Sequence, residues 1–451
     1  MKTIRLLILA LFIVSTVSAQ HYKKGKGAER YKPTVYLVSA YEIDTVYQSC
    51  CAAQQAALKN RAAIAGAIQD YKETHRLGAQ QVEKPQFIFA TKNNKFSFAF
   101  GGYINLRAAY DFKGIADNID FVPANIPMTP NYTTHQQLMM EATTTRLFVK
   151  AITNTRALGH VVLFIEGDFR GGAQMSYTPR LRSAYISFLG LTLGRDVTTF
   201  CDLSAAPNTI DFQGPNAYNF NFATMIRYEV PFADNHLKFG VAAEMPEVSG
   251  SYGTTFASIP QRVPDFPVYM QYSWGRNRQN HIRASGIFRN MYMHNLGTGK
   301  NTSLFGWGVQ ASGSMGLCRW VDLYFNGVYG QGITPYIQDI SGLGLDFTPR
   351  PTDPARIQTM PMYGWQVAGQ INFIPGKLFV SGGYSSVTVC KKEGFYANDE
   401  YKQGTYSFAN IFYFITPRCK VACEYLHGSR KNMDGNINYA NRINTMIQYN
   451  F

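Results

Sequence analysis

From residue 96 to the C-terminus, hydrophobic and polar residues alternate with a period of two. In the segment "FSFAFGGYINLRAAY", Phe96, Phe98 and Phe100 fall on one face and Ser97 falls on the other. Successive side chains of a β-strand point to opposite faces of the sheet, so this pattern predicts a strand with one apolar face. The last segment, "NINYANRINTMIQYNF", alternates in the same way and ends at the aromatic Phe451.

Sixteen segments of this kind predict sixteen strands. They are residues 96–110, 143–152, 160–170, 178–188, 190–198, 223–231, 236–245, 265–275, 280–292, 303–316, 319–331, 362–373, 377–389, 403–415, 418–427 and 437–451. Between them, short turns alternate with long polar connections at residues 111–141, 245–264, 332–361, 389–402 and 428–436.

An even number of antiparallel strands can close into a barrel without free edges, and transmembrane barrels carry short turns at one end and long loops at the other. We therefore predict an all-β transmembrane barrel of about 16 antiparallel strands over residues 96–451, with an aqueous lumen. A soluble β-sandwich is the alternative, but it has no reason to alternate its loop lengths.

The chain before residue 96 follows other patterns. Lys2 and Arg5 precede the apolar run "LLILALFIV", and small residues follow up to Ala19, which predicts a secretory signal peptide over residues 1–19. Residues 20–41 form a basic segment. Residues 42–80 lack proline and predict a short helical segment. A coiled-coil seam is predicted at Val46, Cys50, Ala53, Ala57, Asn60, Ile64, Ala67 and Tyr71. The alternative is a single amphipathic helix packed on the barrel.

Composition agrees with an exported barrel. Of the residues, 14% are aromatic and only 16% are charged, and no apolar stretch of membrane-spanning length follows the signal peptide. The formal net charge of +14 favours anionic partners. Seven cysteines are an odd number, so at least one is free or paired between chains. No cysteine pair accompanies a histidine cluster, so we predict no metal site; we also predict no cofactor and no nucleic-acid partner.

Charged residues of the predicted strands face the lumen when the apolar residues face lipid. They are Arg107, Arg146, Lys150, Glu166, Asp168, Arg170, Arg180, Arg182, Arg227, Lys238, Arg283 and Arg289. The opposite register would put arginine or lysine against lipid, at a cost of about 2–4 kcal/mol each at mid-depth. A lumen lined by these cations is expected to concentrate anions. In the alternative interpretation, arginines and carboxylates pair, brace the wall and leave no net field.

The segment 198–222, "TTFCDLSAAPNTIDFQGPNAYNFNF", is too long for a turn. We predict that it folds inward as a constriction loop, with Asp202, Asn208, Asp211 and Gln213 as its polar residues. A simple surface loop is the alternative.

Several segments resemble the DcaP-like family of trimeric Gram-negative outer-membrane porins. They are "GGYINLRAAYDF", "TRLFVKAITN", "FIEGDFRGG", "RLRSAYISF", "LTLGRDVTTFCDLSAAPNTIDFQGPNA" and "MIRYEV". The resemblance implies a sixteen-stranded homotrimer with a periplasmic coiled coil and an arginine-lined pore for small anionic solutes such as dicarboxylates. On the matching positions, the implied pore residues are Arg146, Lys150, Arg170, Arg180, Arg182 and Arg227. The chain departs from the family at Gly194-Arg195-Asp196.

Two other functions compete with passive diffusion through an outer-membrane porin. A barrel hydrolase would need a serine and a histidine within hydrogen-bond reach, and His160, His236, His281 and His427 fall at strand ends or on mixed faces. A structural anchor would instead use the segment "HYKKGKGAERYK" and the helix to grip the cell wall while the barrel stays closed. We therefore predict outer-membrane lipid, a homotrimer and anionic solutes as partners, with the cell wall as a further candidate, and no enzymatic activity.

Overall fold

The computed structural model describes residues 34–38, 50–74, 87–91, 94–115, 120–129, 132–173, 175–275, 279–350, 352–392 and 399–451. Three elements precede the barrel strands in the sequence: strand β1 (Thr34–Val38), helix α1 (Cys50–Glu73) and strand β2 (Phe87–Thr91). Among the described residues, no helix combines the length and hydropathy of a membrane span. The predicted signal peptide lies outside the described residues, and so does the basic segment 20–41 apart from β1.

In the described part of the chain, sixteen antiparallel strands close a barrel. The strands in chain order are β3 (Phe96–Lys113), β4 (His135–Glu141) continued by β5 (Arg146–Thr155) as one interrupted strand, β6 (Gly159–Asp168), β7 (Arg180–Phe188), β8 (Leu191–Val197), β9 (Phe222–Phe232), β10 (Leu237–Glu244), the short loop strand β11 (Phe256–Ser258), β12 (Phe266–Trp274), β13 (Asn280–Asn295), β14 (Lys300–Cys318), β15 (Val321–Gln331), the loop hairpin β16 (Phe347–Pro349) and β17 (Ile357–Thr359), β18 (Pro361–Ile374), β19 (Leu378–Val389), β20 (Tyr401–Phe414), β21 (Cys419–Asn432) and β22 (Ile437–Asn450). Strand β22 pairs with β3 and completes the cylinder, which confirms the predicted sixteen-stranded barrel.

The strand register follows from the two-residue period. On β6, Leu163 and Ile165 are exposed on the outer face, whereas Glu166 and Asp168 are buried inside. On β5, Leu147 is exposed and its neighbour Arg146 is buried. An outer wall of apolar side chains suits lipid contact, and the charged side chains are thereby confined to the interior.

Phe451 lies at the junction where the barrel closes. Its N–H donates to the carbonyl of Gly102 at 3.0 Å, and its own carbonyl accepts from the Gly102 N–H at 3.1 Å. Its ring centroid lies 5.6 Å from that of Phe100. Strand β2 pairs with β3 from Phe87 opposite Phe100, so β2 continues the line of β22 along the edge of β3. The C-terminal aromatic residue therefore covers the meeting point of three strands.

Loop segments from the long-loop end of the barrel fill part of its lumen. Ala124, Phe200 and Ile337, from three different loops, are buried in one apolar cluster together with wall residues such as Val328 and Val387. Polar contacts join the same loops. The carboxylate of Asp339 accepts hydrogen bonds from the Ala124 N–H at 3.0 Å, the Asn216 amide at 3.1 Å and the Tyr401 hydroxyl at 2.5 Å. The barrel is therefore not an empty cylinder.

The end of helix α1 packs on the inner face of the barrel wall. Ala67 and Tyr71 are buried in a cluster with Ile88 of β2, Ala99 of β3 and Ile152 of β5. These two helix residues belong to the predicted coiled-coil seam, and here they contact the barrel. Of the other seam positions, Val46 and the side chains of Cys50, Ala53, Ala57 and Asn60 lie outside the described residues. For residues 61–74, the structure shows the packed amphipathic helix that was the alternative prediction.

One loop prediction is wrong. Residues 428–436 were expected to form a long outer loop, but β21 continues to Asn432 and a turn of four residues leads into β22. The segment is polar because these strand ends, including the Lys431 and Ile437 pair, extend beyond the apolar band of the barrel. Where a strand extends beyond the membrane, its polar end can be mistaken for a loop.

Candidate pore and constriction

Four arginines form one group on the inner wall, which we call the arginine cluster: Arg146, Arg170, Arg180 and Arg182. The register of neighbouring strands brings them together, because Asp168 of β6 lies opposite both Arg146 of β5 and Arg180 of β7. A bulge leaves Arg182 without a cross-strand partner on β6. A bulge re-aims the side chain that it carries, and Arg182 points inward beside Arg180.

Two carboxylates of β6 bind the cluster. Arg180 donates from Nε and Nη2 to Asp168 at 2.9 and 2.6 Å. Arg182 donates to Glu166 at 2.8 Å and to Asp168 at 3.1 Å, and Arg146 lies 3.6 Å from Glu166. Among these five groups, three guanidinium groups face two carboxylates, so the positive charges outnumber the negative ones by one. The side chain of Arg180 is 34% exposed, compared with 2–3% for Arg146 and Arg182.

Arg170 follows β6 and forms an ion pair with Asp120 of an inward-folded loop. Burial alone would raise the pKa of Asp120, but the adjacent Arg170 guanidinium, together with the charges of Arg107 and Arg442, outweighs burial and lowers that pKa. Asp120 therefore stays ionised, and this fourth arginine adds no net charge to the cluster.

Residues 198–221, which we call the inner loop, face the arginine cluster with an aromatic ring. The Phe212 ring centroid lies 4.5 Å from the guanidinium carbon of Arg170, 5.3 Å from that of Arg182 and 5.8 Å from that of Arg146. These distances are in the range of cation–π contacts. On the side of β5 to β7, the inner loop thus meets the arginine cluster through a phenylalanine.

The four predicted constriction-loop residues anchor the inner loop to other parts of the barrel. Asp202 accepts from Ser312 of β14 at 2.7 Å, and Asn208 donates to Gln370 of β18 at 2.8 Å. Asp211 accepts from the hydroxyl of Tyr406 of β20 at 3.1 Å. Gln213 donates to the backbone carbonyl of Gln338 in another loop at 3.3 Å. The inner loop is therefore attached along β13 to β21 and turned toward β5 to β7.

A second group of inward cations lies on β9, β10 and β13. Arg227 pairs with Asp196 at 2.7 Å, and Lys238 pairs with Glu229 at 2.8 Å. Arg283 stacks over the ring of Tyr269 at 3.6 Å. Lys238 is the most exposed of these cations, at 41%. Arg227 and Lys238 thus pair with carboxylates as in the bracing arrangement, whereas Arg283, over Tyr269, adds a third cation to the group.

Arg107 and Arg289 lie apart from both groups. Arg107 pairs with Glu141 at 2.8 Å and donates to the carbonyl of Ile210 in the inner loop at 3.4 Å. Arg289 is fully buried, 2.9 Å from Asp265 and 3.2 Å from Asp346, where it joins two loops. Both side chains are buried, and both hold loops in place.

Lys150 contacts helix α1. Its ammonium group donates to the carbonyl of Thr74 at 2.9 Å, and its own carbonyl accepts from the Tyr71 hydroxyl at 2.7 Å. Asp70 receives hydrogen bonds from the Asn154 amide at 2.7 Å and the Asn94 amide at 3.1 Å. A lysine at the C-terminus of a helix satisfies a carbonyl that has no partner within the helix. The structure thus places Lys150 against the helix, away from the arginine cluster.

The His281 ring contacts a serine hydroxyl and a carboxylate. Its Nδ1 lies 3.2 Å from the Ser314 hydroxyl, and its Nε2 lies 2.8 Å from Asp202. Burial would raise the pKa of Asp202, but the hydrogen bond and charge of His281 hold it at about 2. The ring is almost fully buried, and Asp202 belongs to the inner loop. The contact therefore attaches this loop to the wall at β13 and β14.

Several interior residues were missed by the sequence reasoning. Phe212 has no charge and lies in a loop without period, so no sequence signal identified it. Glu229 follows Arg227 by two residues on one strand, so alternation alone could have placed it beside that arginine. Three further carboxylates lie in loops or at strand ends, where the two-residue period does not predict which way a side chain points. They are Asp120, Glu141 and Asp346.

Comparison with known proteins agrees with this architecture. Residues 74–281 match the model of the DcaP outer membrane protein family. The outer membrane channel DcaP of Acinetobacter baumannii aligns over 79% of this chain and 97% of its own, with a TM-score of 0.69 and 20% identity. OmpT, an outer membrane protein of Vibrio cholerae, aligns over 79% of this chain and 98% of its own, with a TM-score of 0.50 and 10% identity. No match to a curated protein was found. The resemblance to the DcaP-like family is confirmed, and the chain has the fold of an outer-membrane porin.

Proposed function

We propose that this chain is a porin for the passive diffusion of small hydrophilic, preferentially anionic solutes, such as dicarboxylates, across the outer membrane. The observation that carries the proposal is the arginine cluster, where Arg146, Arg180 and Arg182 surround the two carboxylates of Glu166 and Asp168. Arg180 is its most exposed member and offers its guanidinium to a passing anion.

An excess charge has more effect inside a barrel than on an open surface. At physiological salt the Debye length is about 8 Å, and exposed charges farther apart than this are largely screened. A solute that contacts the exposed guanidinium of Arg180 comes closer than that to the cluster, because Arg180 and Arg182 share Asp168. Anions should therefore be favoured there over cations.

Reversal potential across a salt gradient in a planar bilayer tests this proposal. The unmodified protein should prefer anions. The double substitution R180E/R182E replaces two cations by two anions, a change of four charge units, so the preference should weaken or reverse. The matched control is R156E/R319E, which makes the same charge change at exposed turn positions on the rim of the barrel. A preference for cations in the unmodified protein would contradict the proposal.

The competing function is a structural outer-membrane protein with little channel activity, and one observation favours it. Most inward cations other than Arg180 and Lys238 are buried in ion pairs or hold loops, and apolar loop residues occupy part of the lumen. Conductance separates the two functions, because a structural protein would insert into the bilayer without opening steps.

Assembly and export belong to the same proposal. The chain would be exported through its signal peptide, residues 1–19, form a homotrimer in outer-membrane lipid and hold residues 42–80 in the periplasm, where contact with the cell wall is a further candidate. Native mass measurement of the mature protein tests the trimer, and a monomer would rule it out. Removing residues 42–60 should weaken the trimer if these residues form a coiled coil.

A further inference from the structure

Phe212 is held against the arginine cluster by the backbone on both sides of it. The N–H groups of Ile210 and Asp211 donate to the two carboxylate oxygens of Glu424 at 2.9 and 2.8 Å. After the phenylalanine, the Gly214 N–H donates to Asp211 at 3.2 Å. The backbone around residue 212 is therefore fixed to the wall at β21, and only the side chain reaches away from it.

The ring of Phe212 meets cations that come from three different segments. Arg146 belongs to β5, Arg182 to β7, and Arg170 to the loop after β6. Arg182 and Arg146 use their N–H groups on Glu166, and Arg170 uses its own on Asp120, so the ring approaches groups whose charge is already partly compensated. The ring thus closes the gap between inner loop and wall while leaving the ion pairs intact.

We propose that Phe212 sets the width and the ion selectivity of the channel. The inference rests on the proposed diffusion function and names the residue that determines it. A ring at this position excludes water from the faces of the guanidinium groups, and a charge in a narrow, poorly hydrated passage is screened less than a charge in a wide one. Removing the ring should widen the passage and weaken its anion preference, although every arginine remains.

Three substitutions test this in planar bilayers with potassium chloride. F212A should raise single-channel conductance roughly twofold, since conduction through a constriction follows its width, and should move the reversal potential toward zero. F212W should lower conductance. F212L keeps most of the volume without the aromatic ring and should lie between the unmodified protein and F212A. The control is F220A, on the same loop, because the Phe220 ring packs on Tyr218 and Phe222 instead of on the arginine cluster.

The outcomes separate this inference from the proposed function. Each variant is first checked for migration of the folded barrel on an unheated denaturing gel. If the unmodified protein prefers anions but F212A and F212W leave conductance unchanged, the inference is overturned and the proposed function stands. An equal rise in F220A would also overturn it. If the unmodified protein does not conduct, the proposed function fails, and the inference survives only if F212A opens the barrel.

Discussion

Replacing Lys150 by methionine distinguishes two roles for the same side chain. The sequence interpretation makes Lys150 a pore cation, whereas the structure places its ammonium group 2.9 Å from the carbonyl of Thr74 at the end of helix α1. Methionine keeps the unbranched chain that crosses the apolar surface and removes only the charge and the hydrogen bonds. The hydrogen bond from Tyr71 to the backbone carbonyl of residue 150 is unaffected.

The size of the effect follows from that contact. A hydrogen bond from a charged donor contributes about 1.5–3 kcal/mol. Lys150 is 6% exposed, so little water replaces the lost contact. Local opening of residues 61–74 should become about 10- to 150-fold more frequent, because each 1.4 kcal/mol is a factor of ten. The barrel itself should keep its stability, since the substitution breaks no strand pairing.

Hydrogen exchange read by mass spectrometry, combined with reversal potential, is the assay. K150M should speed exchange in peptides covering residues 61–74 and leave ion selectivity nearly unchanged. The matched control is K238M, another inward lysine, which is exposed to the lumen and pairs with Glu229. It should shift selectivity toward cations and leave exchange in the helix unchanged. The helix-anchor role of Lys150 would be refuted if K150M shifted selectivity while helix exchange stayed the same.

Two further predictions concern buried charges. Arg442 and Asp111 form a buried ion pair at the closing junction, with N···O distances of 2.5 and 2.9 Å. R442M leaves Asp111 as a buried charge without its partner, so it should lower the free energy of unfolding by about 3–5 kcal/mol. D111L/R442M removes both charges and should recover most of that loss, as measured by denaturant titration. An R442M barrel as stable as the unmodified one would show that the pair is dispensable. The pKa of Asp202 in the folded state is about 2, whereas its ordinary value is 3.8. The contact of the ionised Asp202 with His281 and Ser312 should therefore stabilise the folded state by about 2 kcal/mol above pH 4, and this stabilisation should be lost as the pH falls toward 2. The inner loop should therefore open more often in acid, measured as a loss of its protection against hydrogen exchange, and D202N should remove that dependence. An unchanged acid response in D202N would contradict the assignment.

The wall of the barrel could be predicted from the sequence because the membrane gives each strand residue only two directions. Leu147 and Leu163 must face lipid, so Arg146 and Glu166 must face inward, and the structure has them there. The rule fails at the bulge on β7, where strict alternation would turn Tyr185 outward. There the extra residue shifts the phase, and Tyr185 packs on Phe164 inside the barrel. A strict two-residue period cannot predict where a bulge inserts one extra residue, so it assigns the residues after the bulge to the wrong face.

The inner loop obeys a different constraint, which explains why its polar residues were found and its functional contact was not. Without a ladder of strand hydrogen bonds, each buried N–H and carboxylate must find its own partner, and those partners are distant in sequence. Asp211 reaches Tyr406, and Glu424 receives the backbone of residues 210 and 211. Because Asp211 is bonded to Tyr406 of β20 and Gln213 to the carbonyl of Gln338, Phe212 is the side chain left to meet the arginines. The residue that faces the arginine cluster is therefore determined by the hydrogen bonds of its neighbours, and its own identity gives no indication of that position.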